Sequence, residues 1–276
     1  MSDVFAPPAG PSASPGVGGA TTYPDTTMGA VARTVDAARG NLLAVLMLPV
    51  VVLAPLNLVF GAVDVLVADE ELYNLISRAE SVARSLLTLW VQIAVLLGMR
   101  DGEQGRVSGL GALLGEAVEH FAAVLVQRIV VVLLSVVALL LFILPGVYLA
   151  LMWWLLYPVV IFEDRGGEAR ARSAELVRPR WPQVIGAILV GQAPLVGLVA
   201  AAVVVLFAVF YVGVPPGPFV EQLDSPLWLV LARLVNLVLQ PLAFVPTMLM
   251  YGVYRNAVAA EGGGPPADRR AGRGDE

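Results

Sequence analysis

The sequence contains no cysteine. Disulfides, thiolate metal sites and cysteine nucleophiles are excluded together. Lysine is absent too, so all 17 basic residues are arginine. The codon composition of a GC-rich genome accounts for that bias more simply than phosphate recognition. The one histidine, His120, leaves no pair for a metal and none to spare for a catalytic triad. Its place where a helix enters an apolar run gives it a structural role. No glycine-rich loop of the phosphate- or dinucleotide-binding type occurs. Charge is scarce as well. Only 14% of the 276 residues are charged, against about 25% in soluble domains.

What is abundant is apolar surface: 58% of residues are hydrophobic and the mean hydropathy is +0.80. A single core of this size cannot take that much, and the alternative solvent is lipid. Lipid offers no water to backbone polar groups, so spanning segments are helices or closed barrels. Barrel strands alternate apolar and polar residues in short segments. The apolar runs here are continuous and long, which selects helices.

Residues 1–27 are rich in Pro, Gly, Ala, Ser and Thr, with Asp3 and Asp25 as the only charges; this composition predicts a disordered tail. No basic residue precedes an apolar core there, so it does not read as a signal peptide. The membrane domain follows over 28–254, and 255–276 reads as a second polar tail. Span one covers about 41–63, kinked by Pro49 and Pro55, and span two about 82–99 after an acidic linker. Leu110, Leu113, Leu114, Ala117 and Phe121 then mark an amphipathic, interfacial helix. From Ile129 to Phe162 there are 34 uncharged residues, about 50 Å of helix, too long for one crossing. Pro145-Gly146 is the expected break, giving spans three (about 122–143) and four (about 146–162). Spans five and six cover about 184–212 and 226–254. The expected fold is an all-α bundle of about six transmembrane helices with interfacial amphipathic helices.

With six spans the loops sort into two sides. Thirteen arginines fall on the side of the termini and two, Arg78 and Arg84, on the other. Basic loops stay cytoplasmic, so both termini are expected inside, in a multi-pass protein of a bacterial cytoplasmic (inner) membrane. A repeat runs through this pattern. Ala30, Ala32, Arg33, Asp36 and Arg39 match Ala169, Ala171, Arg172, Glu175 and Arg178 at a constant offset of 139. Ala112, Glu116 and Ala117 match more loosely at an offset of 80. Three units are implied, each an amphipathic helix followed by a helical hairpin.

The segments Leu144-Pro-Gly-Val-Tyr-Leu149, Tyr157-Pro-Val-Val-Ile-Phe-Glu163 and Glu168-Ala-Arg-Ala-Arg-Ser-Ala-Glu-Leu-Val-Arg178 resemble a known pattern. It is that of the membrane domain associated with glycerophosphoryl diester phosphodiesterases, which also occurs in stand-alone bacterial six-span proteins. The resemblance covers about 35 residues and implies a six-span bundle without a settled activity. The catalytic barrel of those phosphodiesterases has no counterpart in this sequence.

Ionisable groups at membrane depth are the candidate site, because burying them in lipid costs several kcal/mol unless they are paired or hydrated. Arg233 in span six lies at the level of Asp64, which ends span one; the two form one expected pair. For Arg128 in span three the expected partners are Glu163 or Asp164, at the end of span four. Snorkelling to the headgroups is the alternative for both arginines. No cofactor or metal is implied. The leading function is a non-enzymatic integral membrane protein in envelope organisation, acting as partner or scaffold. Its partners are the lipid bilayer and, beyond it, other proteins or further copies of the chain; nothing points to nucleic acid. A transporter or permease-like protein is the second reading, favoured by kinking prolines, intramembrane Arg, Asn and Gln, and the repeat. A membrane-embedded lipid-acting enzyme is the third. Glu163-Asp164 is its only carboxylate pair on one face, and adjacent side chains on a helix diverge by about 100°.

Overall fold

The computed structural model describes residues 23–67, 69–211, 233, 235–237 and 239–261, and among these every regular element is helical. In chain order they are α1 (Thr27–Gly40), α2 (Leu42–Leu66), α3 (Glu70–Glu103) and α4 (Leu110–Leu141). Then come α5 (Ile143–Met152), α6 (Leu156–Glu163), α7 (Ala169–Val177), α8 (Trp181–Tyr211) and α9 (Val245–Ala260). Short 3-10 turns, Arg178–Arg180 and Gln240–Phe244, join the last elements. Five stretches are long and apolar enough to cross a bilayer: Leu42–Val63, Glu70–Glu103, Leu110–Leu141, Ile143–Glu163 and Ala169–Ala201. The protein is a helical membrane protein. Of the sixth expected span, 226–254, residues 226–232, 234 and 238 lie outside the described residues, and the rest includes the turn Gln240–Phe244 and the first ten residues of α9.

The least apolar crossing is the central one. α3 has the lowest hydropathy of the five, 1.7, yet half of that window is buried. It packs against α1, α2, α4 and α9, and Leu89, Val91 and Ile93 through Leu97 have almost no exposed surface. From Leu89 onward the helix is surrounded by protein and needs no apolar surface for lipid, so it tolerates Gln92 there, while Arg84 lies in the more exposed first half. α4 is the opposite case. Leu140 is 82% exposed and Leu144, just past its end, equally so; such a continuous apolar face needs an apolar surrounding, which lipid tails supply.

Local chemistry sets the helix ends. Asp69 caps α3, accepting a hydrogen bond from the Leu72 amide at 2.7 Å, and Thr26 caps α1 through the Gly29 amide at 3.1 Å. Pro145 and Pro158 each stand third in their helix, α5 and α6. There a missing N–H removes no intrahelical bond, while the ring prevents the preceding helix from continuing.

Four expectations need correction. The break expected at Pro145-Gly146 falls at Phe142, whose extended backbone (φ −160°, ψ 139°) separates α4 from α5. The proline acts upstream, because its clash is with the carbonyl four residues back. Gly146 then lets the hairpin close: a methyl there would stand 3.0 Å from the Leu139 Cα. Span four is not one rod but α5 and α6, with a turn at 153–155. The amphipathic helix expected at 110–121 is the first third of α4, continuous with the span. Finally, the ordered chain reaches farther at both ends than composition indicates. Tyr23, Asp25 and Thr26 are tied to Asp36, Arg180 and Gln183, and α9 continues to Ala260.

The repeat has a structural counterpart. Ala30, Thr34, Ala37 and Ala38 are the buried face of α1, and Ala169, Ser173, Leu176 and Val177 that of α7, at the same offset. The register continues into the following helices, with Ala44, Val45 and Leu48 buried like Gln183, Val184 and Ala187. Chance similarity of sequence does not require shared burial over two successive helices.

Candidate functional site

Polar side chains gather in two layers. The first is at the end of the bundle where α1, α7 and the last turns of α3, α6 and α9 meet. Glu103, the last residue of α3, faces Arg33 of α1 at 3.6 Å and Arg255 of α9 at 2.7 Å, and accepts the Tyr251 hydroxyl. Glu163, the last residue of α6, faces Arg172 of α7 at 3.0 Å and Arg165 at 3.2 Å, and accepts the Tyr254 hydroxyl at 3.4 Å. Phe162 lies between the two tyrosines, with ring centroids 5.8 and 5.7 Å away. Arg33 and Arg172 are equivalent in the repeat, so each short helix is docked by one arginine onto the glutamate that ends a span.

The hydroxyls beside those arginines are equivalent as well. Ser173 donates to the Met152 carbonyl at 2.9 Å, at the break between α5 and α6. Thr34 lies 2.8 Å from the Ala30 carbonyl and 3.4 Å from that of Met248 in α9. A buried carbonyl without a partner is costly, and Ser173 supplies the one at the break. Farther along this layer Asp101, nearly fully buried, gathers Arg100, Arg106 and Ser108, while Arg100 also meets Glu116 of α4 at 2.8 Å.

The second layer is across the bundle. Glu80 and Arg84 stand one turn apart on α3 and pair with each other. Arg233 reaches Glu80 at 2.7 Å, its stem passing 3.6 Å from where a side chain at Gly61 would begin. Arg84 donates to the Asn57 amide oxygen at 3.1 Å, and Asn57 donates to Gln240 at 3.3 Å. Asn57 is 16 residues along from Asn41 and Arg84 is 15 back from Met99; at helical rise both are about 22–24 Å from the first layer. The cluster lies toward the opposite end of the bundle from the first layer.

Arg233, expected against Asp64, has Glu80 as a partner; the Asp64 side chain lies outside the described residues. Arg128, expected against Glu163 or Asp164, lies against the Tyr157 hydroxyl of α6. Glu163 is taken up by Arg172, Arg165 and Tyr254, and Asp164 ends α6 in the left-handed region (φ 51°), exposed. Arg128 is level with Tyr157 because α4 and α6 run side by side. The amides that could line one aqueous path do not converge. Asn57 and Gln240 meet, Gln127 donates to the Gly166 carbonyl at 2.7 Å, and Gln192 and Asn236 are exposed. Gln92 keeps a buried amide oxygen without a partner.

Sequence reasoning missed Glu80 with Arg84, and Glu103 with Tyr251. Their signal was present: acid and arginine four apart on one helix face, and an acid closing an apolar run. Among the described residues no three His, Asp or Glu side chains are grouped to hold a metal ion. Comparison of the chain with protein-family models, curated proteins and solved structures gives no match, so what it does must be argued from these two layers.

Proposed function

We propose that this chain is a six-span protein of a bacterial inner membrane with both termini in the cytoplasm, working without catalysis as a partner or scaffold in envelope organisation. The observation that carries the reading is how the polar groups are used. Those at membrane depth are spent on one another, in Glu80–Arg84–Arg233 with Asn57 and Gln240, while the remaining amides scatter. The other end is a single packed platform in which α1, α7 and α9 share Glu103 and Glu163. Thirteen arginines on that side favour a cytoplasmic platform, with α1 and α7 as its interfacial helices. The same reading places the chain beside the phosphodiesterase-associated membrane domain that its Pro-Gly and Glu-Ala segments resemble.

A photo-crosslinking residue in place of Glu175, exposed on α7, should trap a discrete protein species in living cells. The same residue at Leu140, on the lipid face, should trap none. If neither position traps protein, the scaffold reading fails. A second reading, transport, is favoured by the broken fourth span and the internal repeat, features common in transporters. Reconstituted protein showing saturable solute flux that Arg84→Gln abolishes without unfolding it would establish transport instead.

A further inference from the structure

The arginines of the platform are of two kinds. Arg33, Arg100, Arg172, Arg180 and Arg255 all face carboxylates. Arg170 and Arg178 make no ion pair or hydrogen bond among the described residues, although both lie on the stretch that leads into span five. Arg178 is exposed and opens the 3-10 turn Arg178–Arg180. Residues three apart in such a turn fall on one side of the chain, so Arg178 and Trp181 share a side at the start of α8. Trp181 is 53% exposed and is the first residue of α8. Trp90, Trp153 and Trp154 are all packed against the core. An exposed cation one turn before an exposed indole, at the start of a crossing, matches the layering of a phospholipid: phosphate outside, glycerol and upper acyl chain beneath.

The repeat supplies an independent observation. At the offset of 139, Arg178 and Trp181 correspond to Arg39 and Leu42, and these are also an exposed arginine and an exposed apolar residue (Leu42, 47%) at the entry to a span. In the first copy Arg39 is answered by Asp36 at 3.2 Å. The corresponding acid in the second copy, Glu175, is turned toward Arg172 at 3.6 Å. Arg178 is thereby left for an anion from outside the protein.

We propose that Arg178, Trp181 and Arg170 form a binding site for an anionic glycerophospholipid of the leaflet at this end of the bundle. The two guanidinium groups hold the phosphate region, and the indole holds the glycerol and upper acyl chain. The site rests on the membrane-spanning reading but not on scaffold, transport or sidedness, because a nanodisc can carry the same lipids in both leaflets.

The full chain is placed in phosphatidylcholine nanodiscs with a minor fraction of either dibrominated phosphatidylglycerol or dibrominated phosphatidylcholine. Bromine quenches a neighbouring indole, and subtracting the emission of Trp181→Phe isolates Trp181. The glycerol lipid should quench at a lower fraction than the choline lipid, by about fivefold for each arginine engaged. The double variant Arg170→Gln/Arg178→Gln should lose the preference, while Arg39→Gln/Arg106→Gln should keep it. Equal quenching by the two lipids in the wild-type chain overturns the proposal whatever the variants do. Loss of preference in both double variants also overturns it, as diffuse surface charge. Displacement of the lipid by soluble inorganic phosphate overturns the lipid assignment in favour of a free-phosphate site.

Discussion

Gly102 and Gly252 let α1 lie where it does, and Gly102 is the sharper case. A methyl group at Gly102 would overlap the Ala37 carbonyl oxygen of α1 and stand 3.1 and 3.2 Å from the Ala37 carbonyl carbon and the Asn41 nitrogen. All of these are backbone atoms, so no rotamer change relieves the clash. α1 would have to retreat by about an ångström to restore ordinary contact distances. Its retreat is blocked on the far side, where Gly252 of α9 lies against Thr34 and the Ala30 carbonyl. Overpacking costs about 1–3 kcal/mol, and the upper end applies when backbone must move. Alanine returns up to about 1 kcal/mol of helix propensity, leaving a net loss of about 2 kcal/mol. For a chain of this size that corresponds to about 4–8 °C in melting temperature. The assay is the fraction of monomer surviving a heat ramp in detergent, read by fluorescence-detected size exclusion. Gly111→Ala is the control: it lies in α4 with open space around it and should raise the midpoint by about 1–4 °C. If Gly102→Ala melts at or above the wild-type midpoint, α1 is not wedged between α3 and α9 as described.

Further outcomes follow from the same geometry. Glu80→Leu leaves Arg84 and Arg233 facing each other at depth and should cost about 3–5 kcal/mol; Arg233→Leu in that background should cost less than in the wild-type chain, a coupling that thermal unfolding in detergent measures. Ser173→Ala removes the donor to the Met152 carbonyl and should destabilise by about 1–3 kcal/mol. Thr34→Ala should cost less, because the Ala30 carbonyl already lies in a helix; equal losses would mean that the break at 153–155 does not depend on Ser173. A fluorescent reporter that folds only in the cytoplasm should light up when fused at either terminus. An active periplasmic phosphatase fusion at the carboxyl end would refute the six-span topology.

Composition and run length were enough to expect apolar helices near the positions of α2 and α8 and a break within 129–162, though not its place at Phe142. They also carried the repeat, because Ala30 to Arg39 and Ala169 to Arg178 keep the same small and charged residues in one register. Hydropathy could not rank the spans by burial. It measures aversion to water, which a side chain facing lipid and one facing another helix share. For that reason α3, the weakest run, gave no sign of being the centre, and α4, the strongest, none of being the rim.

Pairing was illegible for a related reason. Asp64 and Glu80 both lie near the far end of the bundle, and only the packing of α3 beside α2 brings Glu80 to Arg233. Arg128 was expected to need a carboxylate, yet the side-by-side course of α4 and α6 puts the Tyr157 hydroxyl at its level. What the chain determined alone was its apolar solvent and the helical state of its long runs, because those follow from local free energies summed along the backbone. Which charges meet, and which arginines are left over for something outside the protein, depended on how the rods cross, a property of several segments at once.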